Sequence, residues 1–583
     1  MSSFRQTVAV FLISCALSSA TTGQAHQKPA ERAAQSSVGD KAELKRKIDE
    51  LVSRYSAFGF SGTVLVGERG HVILQKGYGL ANRAGNARNT AETVFPLASI
   101  TKQFTATAIF RLESEAKLST ADPINKYLRG IPPGMSTITI AQLLTHSSGL
   151  SREADNVADA GATREEFVAS VSRVPLQSTP GEKYEYSNAG YSLLAAIVEQ
   201  VTGRTFESYL RTELFRAARL VHTGWRSEFD SREFARGYQE QFSGAQNEVT
   251  FPPVPSWRFL GSGSLVGTVP DLFAWNEALY NNRVLTPDAR QKLFTPAFNE
   301  YVNGLWMTKT QQGVAVYMSD GDFPGYQTKV AHFPAKHTTI VLALNNDAGW
   351  ATLAYKSLAN ILFAQPYELP PAVAAIEPAA LAKLSGSYAL PSNSTFNVRV
   401  VDGAMFIRAD GQEAVSTLAG ANRSDEELFA STNAATAELV EHLKRSDFDW
   451  LKTVSEFETP IPLERLRNFW TTMLRSKGDL NNYSIIGTTS ARGGRTQTLL
   501  RFDLSNGSEY WLILWQKGKL RGWDAETAHP GESRFLPISK TDFASIDVLS
   551  GRITRVRFSA RKGDLSVLSS SLRGEEIEAK RVK

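Results

Sequence analysis

Apolar and polar residues alternate in two short segments early in the chain, residues 62–66 and 71–75, joined by Gly67-Glu68-Arg69-Gly70. Alternation with period two around a glycine-containing connection predicts a β-hairpin and therefore an antiparallel sheet. Upstream, apolar residues at helical spacing predict a helix over about residues 41–57. From Ser99 to about residue 294 the pattern is mainly helical, with long loops.

Strand-like patterns return at residues 314–317, 328–333 and 338–344, and a helical pattern follows over 350–363. Strands at both ends of a region, with a helical block between them, are typical of one α+β domain. We therefore predict such a domain over about residues 40–365.

The proline-rich segment 366–379 is predicted to be a linker. Beyond it, two alternating runs flank Asp402-Gly403, a strong hairpin signal. Short strand patterns recur at 497–522 and 552–569, while 434–475 contains helical stretches. The region 380–583 is therefore predicted to be a β-rich accessory domain with an α+β insertion near 432–525.

The first 25 residues have the layout of a secretory signal: Arg5, then an apolar stretch, then small residues up to Ala25. Residues 26–39 are polar and predicted to be a flexible leader. These features predict an exported protein, periplasmic or secreted, without a transmembrane segment. The lone cysteine, Cys15, lies inside the signal, which excludes thiol chemistry after cleavage at Ala25. The sequence around Cys15 also resembles a lipoprotein box, so lipid anchoring is the alternative.

The whole chain has 583 residues, a net charge of +5 and a pI of about 9.0. Its basic residues are scattered rather than gathered with aromatic residues, which argues against nucleic-acid binding. Apolar content of 42% is ordinary for a globular protein.

The four residues from Ser99 to Lys102 carry the first chemical signal, since positions i and i+3 share one face of a helix. A lysine amine can deprotonate a serine hydroxyl only when burial or nearby positive charge disfavours its charged form. A serine and a lysine three positions apart are weak evidence for catalysis on their own. Ser559 to Lys562 also match this spacing, in a segment predicted to be a strand end and turn.

A second candidate is Tyr186-Ser187-Asn188, placed after the turn Pro180-Gly181 and just before a predicted helix. A phenol beside a cation can relay a proton to a leaving group, and an amide can orient both a lysine and a substrate carbonyl. The Tyr-x-Asn pattern recurs at Tyr280 and Tyr301, so it too gains meaning only in context.

Several segments together resemble the serine β-lactamase-related family (peptidase family S12), which includes class C β-lactamases, DD-peptidases, D-amino-acid peptidases and esterases. They are Phe95 to Lys102, Leu143-Leu144-Thr145-His146-Ser147-Ser148-Gly149-Leu150, Pro180 to Tyr191, and Gly261 to Leu272. The likeness covers about residues 45–360. The start of the C-terminal region at Gly386-Ser387-Tyr388 is similar to the lipocalin-like barrels that follow some members.

The resemblance implies that Ser99 is a nucleophile, Lys102 its activating amine, and Tyr186 an acid/base assisted by Asn188. The implied reaction is acyl transfer through a serine acyl-enzyme, with backbone N–H groups stabilising the oxyanion. No cofactor or metal is implied, and the partner is a small-molecule or peptide substrate with an ester or amide bond. The oligomeric state is not predicted.

The sequence departs from the family at its Lys-Thr-Gly or His-x-Gly motif. Ser319-Asp320-Gly321-Asp322 is similar to that segment, with Ser319 in the histidine position, Gly321 allowing close substrate approach, and the Asp322 N–H as a second oxyanion donor. His222-Thr223-Gly224 matches the letters but lies in a loop. A neutral Ser319 lacks the cation that would bind a β-lactam carboxylate.

We therefore expect an esterase or amidase that acts on a neutral or cationic substrate and has at most weak β-lactamase activity. His146 is expected to be a hydrogen-bonded structural residue. The alternative function is a non-catalytic cell-wall or ligand-binding protein that retains the penicillin-recognising fold.

Overall fold

A computed structural model describes most of the chain. The described residues are 29–156, 161–240, 246–252, 256–296, 298, 300–310, 313–401, 403–419, 421, 425–456, 463–491, 494–526, 532–548, 550–561, 564–570 and 576–582. The predicted signal at 1–25, residues 26–28 of the predicted leader, and Asp402 of the predicted hairpin turn lie outside these residues.

The first part of the chain is organised around an antiparallel sheet of seven strands, in the order β10-β11-β12-β13-β14-β1-β2. The strands predicted near the start and near the end of this part of the chain lie side by side, because β1 pairs with both β2 and β14. The strands are β1 Gly62–Glu68, β2 His71–Tyr78, β3 Leu80–Asn82, β4 Ala87–Arg88, β5 Phe95–Pro96, β6 Gly224–Trp225, β7 Gly237–Glu240, β8 Gln246–Val249, β9 Leu265–Gly267, β10 Tyr301–Val302, β11 Leu305–Lys309, β12 Ala315–Phe323, β13 Tyr326–Phe333 and β14 Thr338–Leu344.

Helices cover both faces of this sheet and create two apolar cores. Helices α1 and α11 cover one face, and a helical block that includes α2, α5 and α9 covers the other. The helices are α1 Pro29–Phe58, α2 Thr101–Ser114, α3 Ile140–Leu144, α4 Arg164–Val171, α5 Asn188–Thr202, α6 Phe206–Tyr209, α7 Arg216–Ala218, α8 Leu260–Gly263, α9 Val269–Tyr280, α10 Pro287–Leu293 and α11 Trp350–Leu362.

The C-terminal region contains a closed barrel of eight antiparallel strands, β15-β16-β17-β22-β23-β24-β25-β26. Its interior is filled by side chains, with Tyr388, Phe535, Phe543 and Phe558 among the largest. The barrel strands are β15 Gly386–Ala389, β16 Thr395–Val401, β17 Ala404–Asp410, β22 Glu532–Pro537, β23 Asp542–Ile546, β24 Ile553–Arg561, β25 Asp564–Ser570 and β26 Glu576–Arg581.

The chain leaves the barrel after β17 and returns at β22, which pairs directly with β17. Between them a four-stranded sheet packs against helices around its own apolar core. These elements are β18 Leu480–Ala491, β19 Arg495–Leu504, β20 Gly507–Gln516, β21 Lys519–Glu526, α14 Asp425–Lys444, α15 Phe448–Val454 and α16 Leu463–Lys477. Helix α12 Pro378–Ala382 precedes the barrel, and α13 Gln412–Ala419 follows β17 and packs its apolar residues against the barrel's core.

The predicted α+β class and the β-rich C-terminal region are confirmed. Helix α1 begins at Pro29, inside the segment predicted as a leader. Over the residues described above, no helix combines the length and apolar character needed to cross a bilayer.

Candidate active site

Ser99 lies in the 3-10 turn Ala98–Ile100, which runs directly into α2. The residue before it, Ala98, has a φ of 44°, a left-handed conformation that costs a non-glycine residue energy and is common at functional turns. Ser99 is half-buried, whereas the neighbours on either side are buried. The predicted position of Ser99 at a helix start is therefore confirmed, and its hydroxyl is presented from a constrained turn.

Hydrogen bonds on two sides hold this turn in place. The Leu97 N–H donates to the Leu265 carbonyl at 2.8 Å, which continues the pairing of β5 with β9. On the other side, the Thr328 hydroxyl of β13 donates to the Pro96 carbonyl at 2.8 Å. The turn that carries Ser99 is thus fixed between the helical block and the main sheet.

Lys102 is almost fully buried, and its amine lies among three oxygen atoms. Its Nζ is 3.1 Å from Ser99 Oγ, 2.8 Å from Asn188 Oδ1 and 2.9 Å from the Ser262 carbonyl oxygen. The amine also lies 4.7 Å from the centre of the Tyr186 ring, a distance that favours a positive charge on the nitrogen when a proton arrives.

This arrangement suits proton transfer from Ser99. An uncharged amine has two N–H groups and one lone pair, and the Asn188 and Ser262 oxygens can accept only from N–H groups. If the amine donates to both, its lone pair is left for the Ser99 hydroxyl proton. Fixed acceptors would therefore orient the amine lone pair toward Ser99 Oγ.

Tyr186 and Asn188 reach the site from the start of α5. Ser187 caps that helix, with its Oγ accepting from the Gly190 N–H at 3.2 Å. The Tyr186 phenol lies 2.8 Å from Ser99 Oγ. All four predicted catalytic side chains thus meet at one place, although Ser99 and Asn188 are 89 positions apart along the chain.

Asp155 holds Asn188 in position and was missed at the sequence level. Its carboxylate accepts from Asn188 Nδ2 at 3.1 Å and from the Ala189 N–H at 2.8 Å. Burial raises the pKa of Asp155, while these hydrogen bonds and the nearby Lys102 charge act in the opposite direction. Since Asp155 fixes the amide nitrogen, the amide oxygen of Asn188 faces Lys102.

His146 packs against the ring of Tyr186 and binds the backbone of the residue that follows it. Its Nδ1 accepts from the Ser187 N–H at 3.1 Å, and its Nε2 lies 3.0 Å from the Tyr301 hydroxyl. Burial, followed by the charges of Lys102 and Arg152, lowers the pKa of His146 well below its ordinary value. A neutral, hydrogen-bonded ring 4.4 Å from the Tyr186 ring fits the structural role expected for it.

Strand β12 brings Ser319, Gly321 and Asp322 to the edge of the site. Gly321 packs against the turn that carries Ser99 so closely that a Cβ at Gly321 would lie 2.1 Å from the Leu97 carbonyl oxygen. Ser319 is buried, and its hydroxyl accepts from Gln103 Nε2 at 2.5 Å. Asp322 is exposed, and its carboxylate accepts from the Gln327 amide at 3.2 Å.

A second residue missed at the sequence level is Arg152, which follows the Ser147-Ser148-Gly149 segment. Its guanidinium lies 5.6 Å from the centre of the Tyr186 ring, and the side chain is exposed. Half-buried Tyr184 and Trp306, with ring centres 5.6 Å apart, flank the same region. Neither the loop position nor the composition around Arg152 signals a role, because only the fold brings it beside Tyr186.

The sequence matches set aside earlier lie elsewhere. Ser559 is on strand β24, where its hydroxyl contacts that of Ser566, and Lys562 lies outside the described residues. His222 and Thr223 donate hydrogen bonds to the Asp271 carboxylate rather than to the Ser99 site. Gly224, expected in a loop, begins β6, which pairs with β9 in the small sheet that also contains β5.

Comparisons with known proteins agree with this geometry. A profile of the family described as Beta-lactamase matches residues 44–362. The chain is 28% identical over 333 residues to a protein of Bacillus subtilis (strain 168) that is named as the penicillin-binding protein PbpX. The match covers 54% of this chain and 82% of PbpX. It is 27% identical over 383 residues to penicillin-binding protein 4* of the same organism, covering 60% of this chain and 84% of that protein.

Among solved structures, FmtA from Staphylococcus aureus has a similar fold. It superposes with a TM-score of 0.50 at 24% identity, covering 58% of this chain and 94% of FmtA.

Proposed function

Because the chain belongs to the beta-lactamase family of hydrolases, we propose that it performs acyl transfer on an ester or amide through a covalent intermediate on Ser99. The observation that carries the proposal is the pair of contacts at Ser99 Oγ, 2.8 Å to the Tyr186 phenol and 3.1 Å to the Lys102 amine. A nucleophile with a base on one side and a proton donor on the other has what both halves of the reaction require.

In the first half, the Ser99 hydroxyl gives its proton to Lys102, and Oγ forms a bond to the substrate carbonyl carbon. The carbonyl electrons move to oxygen, and we assign the N–H groups of Ser99 and Asp322 to that oxyanion. Tyr186 then gives a proton to the departing alcohol or amine as the tetrahedral intermediate loses it. The acyl group remains on Ser99.

In the second half, water attacks the acyl carbon and passes a proton to the Tyr186 and Lys102 pair. The bond to Oγ breaks, Oγ takes a proton back, and the carboxylic acid leaves. Asn188 positions the amine throughout, and Asp155 positions Asn188. The predicted signal segment supports an exported location for this activity.

The first test is covalent labelling by a fluorophosphonate. We expect one label per folded molecule of the wild type and none on Ser99→Ala, because the side-chain oxygen that bonds phosphorus is absent. Mass spectrometry of the labelled peptide gives the site. Well-folded wild type that takes no label would favour the alternative of a non-catalytic ligand-binding protein.

The second test concerns the substrate. The cation that would bind a β-lactam carboxylate is missing at Ser319, whose hydroxyl is buried and bonded to Gln103. We therefore expect p-nitrophenyl ester hydrolysis to exceed nitrocefin hydrolysis by at least about ten-fold in kcat/KM, the loss typical of one missing charge-assisted bond. Faster turnover of nitrocefin would contradict the proposed substrate class.

A further inference from the structure

Arg152 carries a positive charge that the described part of the chain does not neutralise. Its side chain is exposed, and no hydrogen bond or ion pair to it is present among the described residues. Asp155, on the same turn, turns its carboxylate to Asn188 and the start of α5 instead. Within the described part of the chain, no acceptor takes the guanidinium N–H groups.

The position of this charge is specific. It lies 5.6 Å from the Tyr186 ring centre, inside the range of a cation–π contact, and the phenol of that ring lies 2.8 Å from Ser99 Oγ. The Lys102 amine lies 4.7 Å from the same ring centre. Once this amine takes the Ser99 proton, two like charges lie beside one ring and repel each other, so an anion bound to Arg152 makes the arrangement more favourable.

We propose that Arg152 determines specificity by binding an anionic group on the leaving alcohol or amine of the substrate. This inference rests on the proposed function, in which Tyr186 protonates the leaving group. A cation beside Tyr186 is then on the leaving-group side of the scissile bond. The planar guanidinium offers paired donors for a carboxylate, which a neutral leaving group would not use.

The inference replaces the neutral or cationic substrate expected from the sequence with one whose leaving group carries a carboxylate. The expectation of a neutral or cationic substrate rests on Ser319 alone, and Ser319 lies on strand β12 rather than on the loop of Arg152. Half-buried Tyr184 lies within electrostatic range of Arg152, and the half-buried Trp306 ring packs against Tyr184, so the two rings offer an apolar surface near the cation. An ester or amide whose leaving group joins an apolar body to a carboxylate fits both features.

The experiment compares two acetate esters of equal size, one releasing 3-hydroxybenzoate and the other 3-hydroxybenzamide. For the wild type we expect kcat/KM to be about 10- to 100-fold higher for the carboxylate ester, mainly through KM. In Arg152→Gln that ratio should fall to about the ratio of the two uncatalysed hydrolysis rates. A ratio that is the same in wild type and Arg152→Gln would overturn the inference.

Charge reversal gives an independent readout. Arg152→Glu should prefer an ester that releases 3-(trimethylammonio)phenol over the benzoate ester, an inversion that a purely structural role would not produce. The matched control is Arg129→Gln, another exposed arginine in the same half of the chain, which should leave the wild-type ratio in place. Thermal unfolding checks that each variant is folded.

The outcomes separate the two claims. If the wild type hydrolyses neither ester, and takes no fluorophosphonate label, the proposed function fails. If it hydrolyses both through Ser99 without a difference that depends on Arg152, only the specificity inference fails.

Discussion

Replacing Lys102 by methionine is expected to lower kcat/KM for ester hydrolysis by at least about a thousand-fold, the scale of losing a base that activates a nucleophile. Methionine retains an apolar stem in a buried position but has no nitrogen to take the Ser99 proton. The Asn188 and Ser262 oxygens also lose their donor, so some loss of stability accompanies the loss of activity. Steady-state kinetics with a p-nitrophenyl ester measures the effect.

Lys102→Arg tests whether Lys102 acts as a base or only holds its neighbours in place. A guanidinium can donate to the same oxygens but stays charged, so it cannot accept the serine proton. We expect it to be about as inactive as Lys102→Met. The control is Lys117→Met, which removes an exposed amine near the end of α2 that pairs with Glu115. Activity within ten-fold of wild type in both Lys102 variants would show that another group deprotonates Ser99.

The second large effect is expected at Gly321, where adding one methyl group should reduce kcat/KM by about a hundred-fold. A Cβ there would lie 2.1 Å from the Leu97 carbonyl oxygen, and backbone cannot move aside as a flexible side chain can. Strand β12 and the Ser99 turn must separate, and a displacement of about 1 Å at a reacting group costs on that order in rate.

The matched control for Gly321→Ala is Gly263→Ala. A Cβ at Gly263 would meet nothing nearer than 3.8 Å, although its neighbours include Ala98 of the same turn. We expect this variant to keep wild-type activity and melting temperature. If Gly321→Ala hydrolyses the ester as fast as Gly263→Ala does, close contact of β12 with the turn is not needed for the reaction.

The sequence was sufficient where the signal is local. The spacing of Ser99 and Lys102, the helix start after Ser187 and the alternating strands all depend on neighbouring residues, and each is seen in the structure. The contacts of Ser99 with Tyr186 could be expected only through the family resemblance, because spacing along the chain does not bring distant segments together.

Asp155 and Arg152 show why the rest was not predictable. Both lie in a short 3-10 segment without periodic pattern, and their partners are 33 residues or more away along the chain. Asp155 matters through the amide it fixes, and Arg152 through the ring it lies against. The early part of α1 was missed for a different reason: residues 29–39 lack the apolar stripe on which helical periodicity depends.

The pairing of β1 with β14 has a consequence for synthesis of the chain. Gly62 pairs with Leu344, and β13 supplies the Thr328 bond that holds the turn before Ser99. On a ribosome, Ser99, Lys102 and Tyr186 therefore emerge well before the strands that complete their surroundings, and such long-range pairing forms late. A partly synthesised chain contains Ser99 but lacks strands β13 and β14, which complete its surroundings. We therefore expect hydrolysis to begin only after these last strands of the sheet have been added.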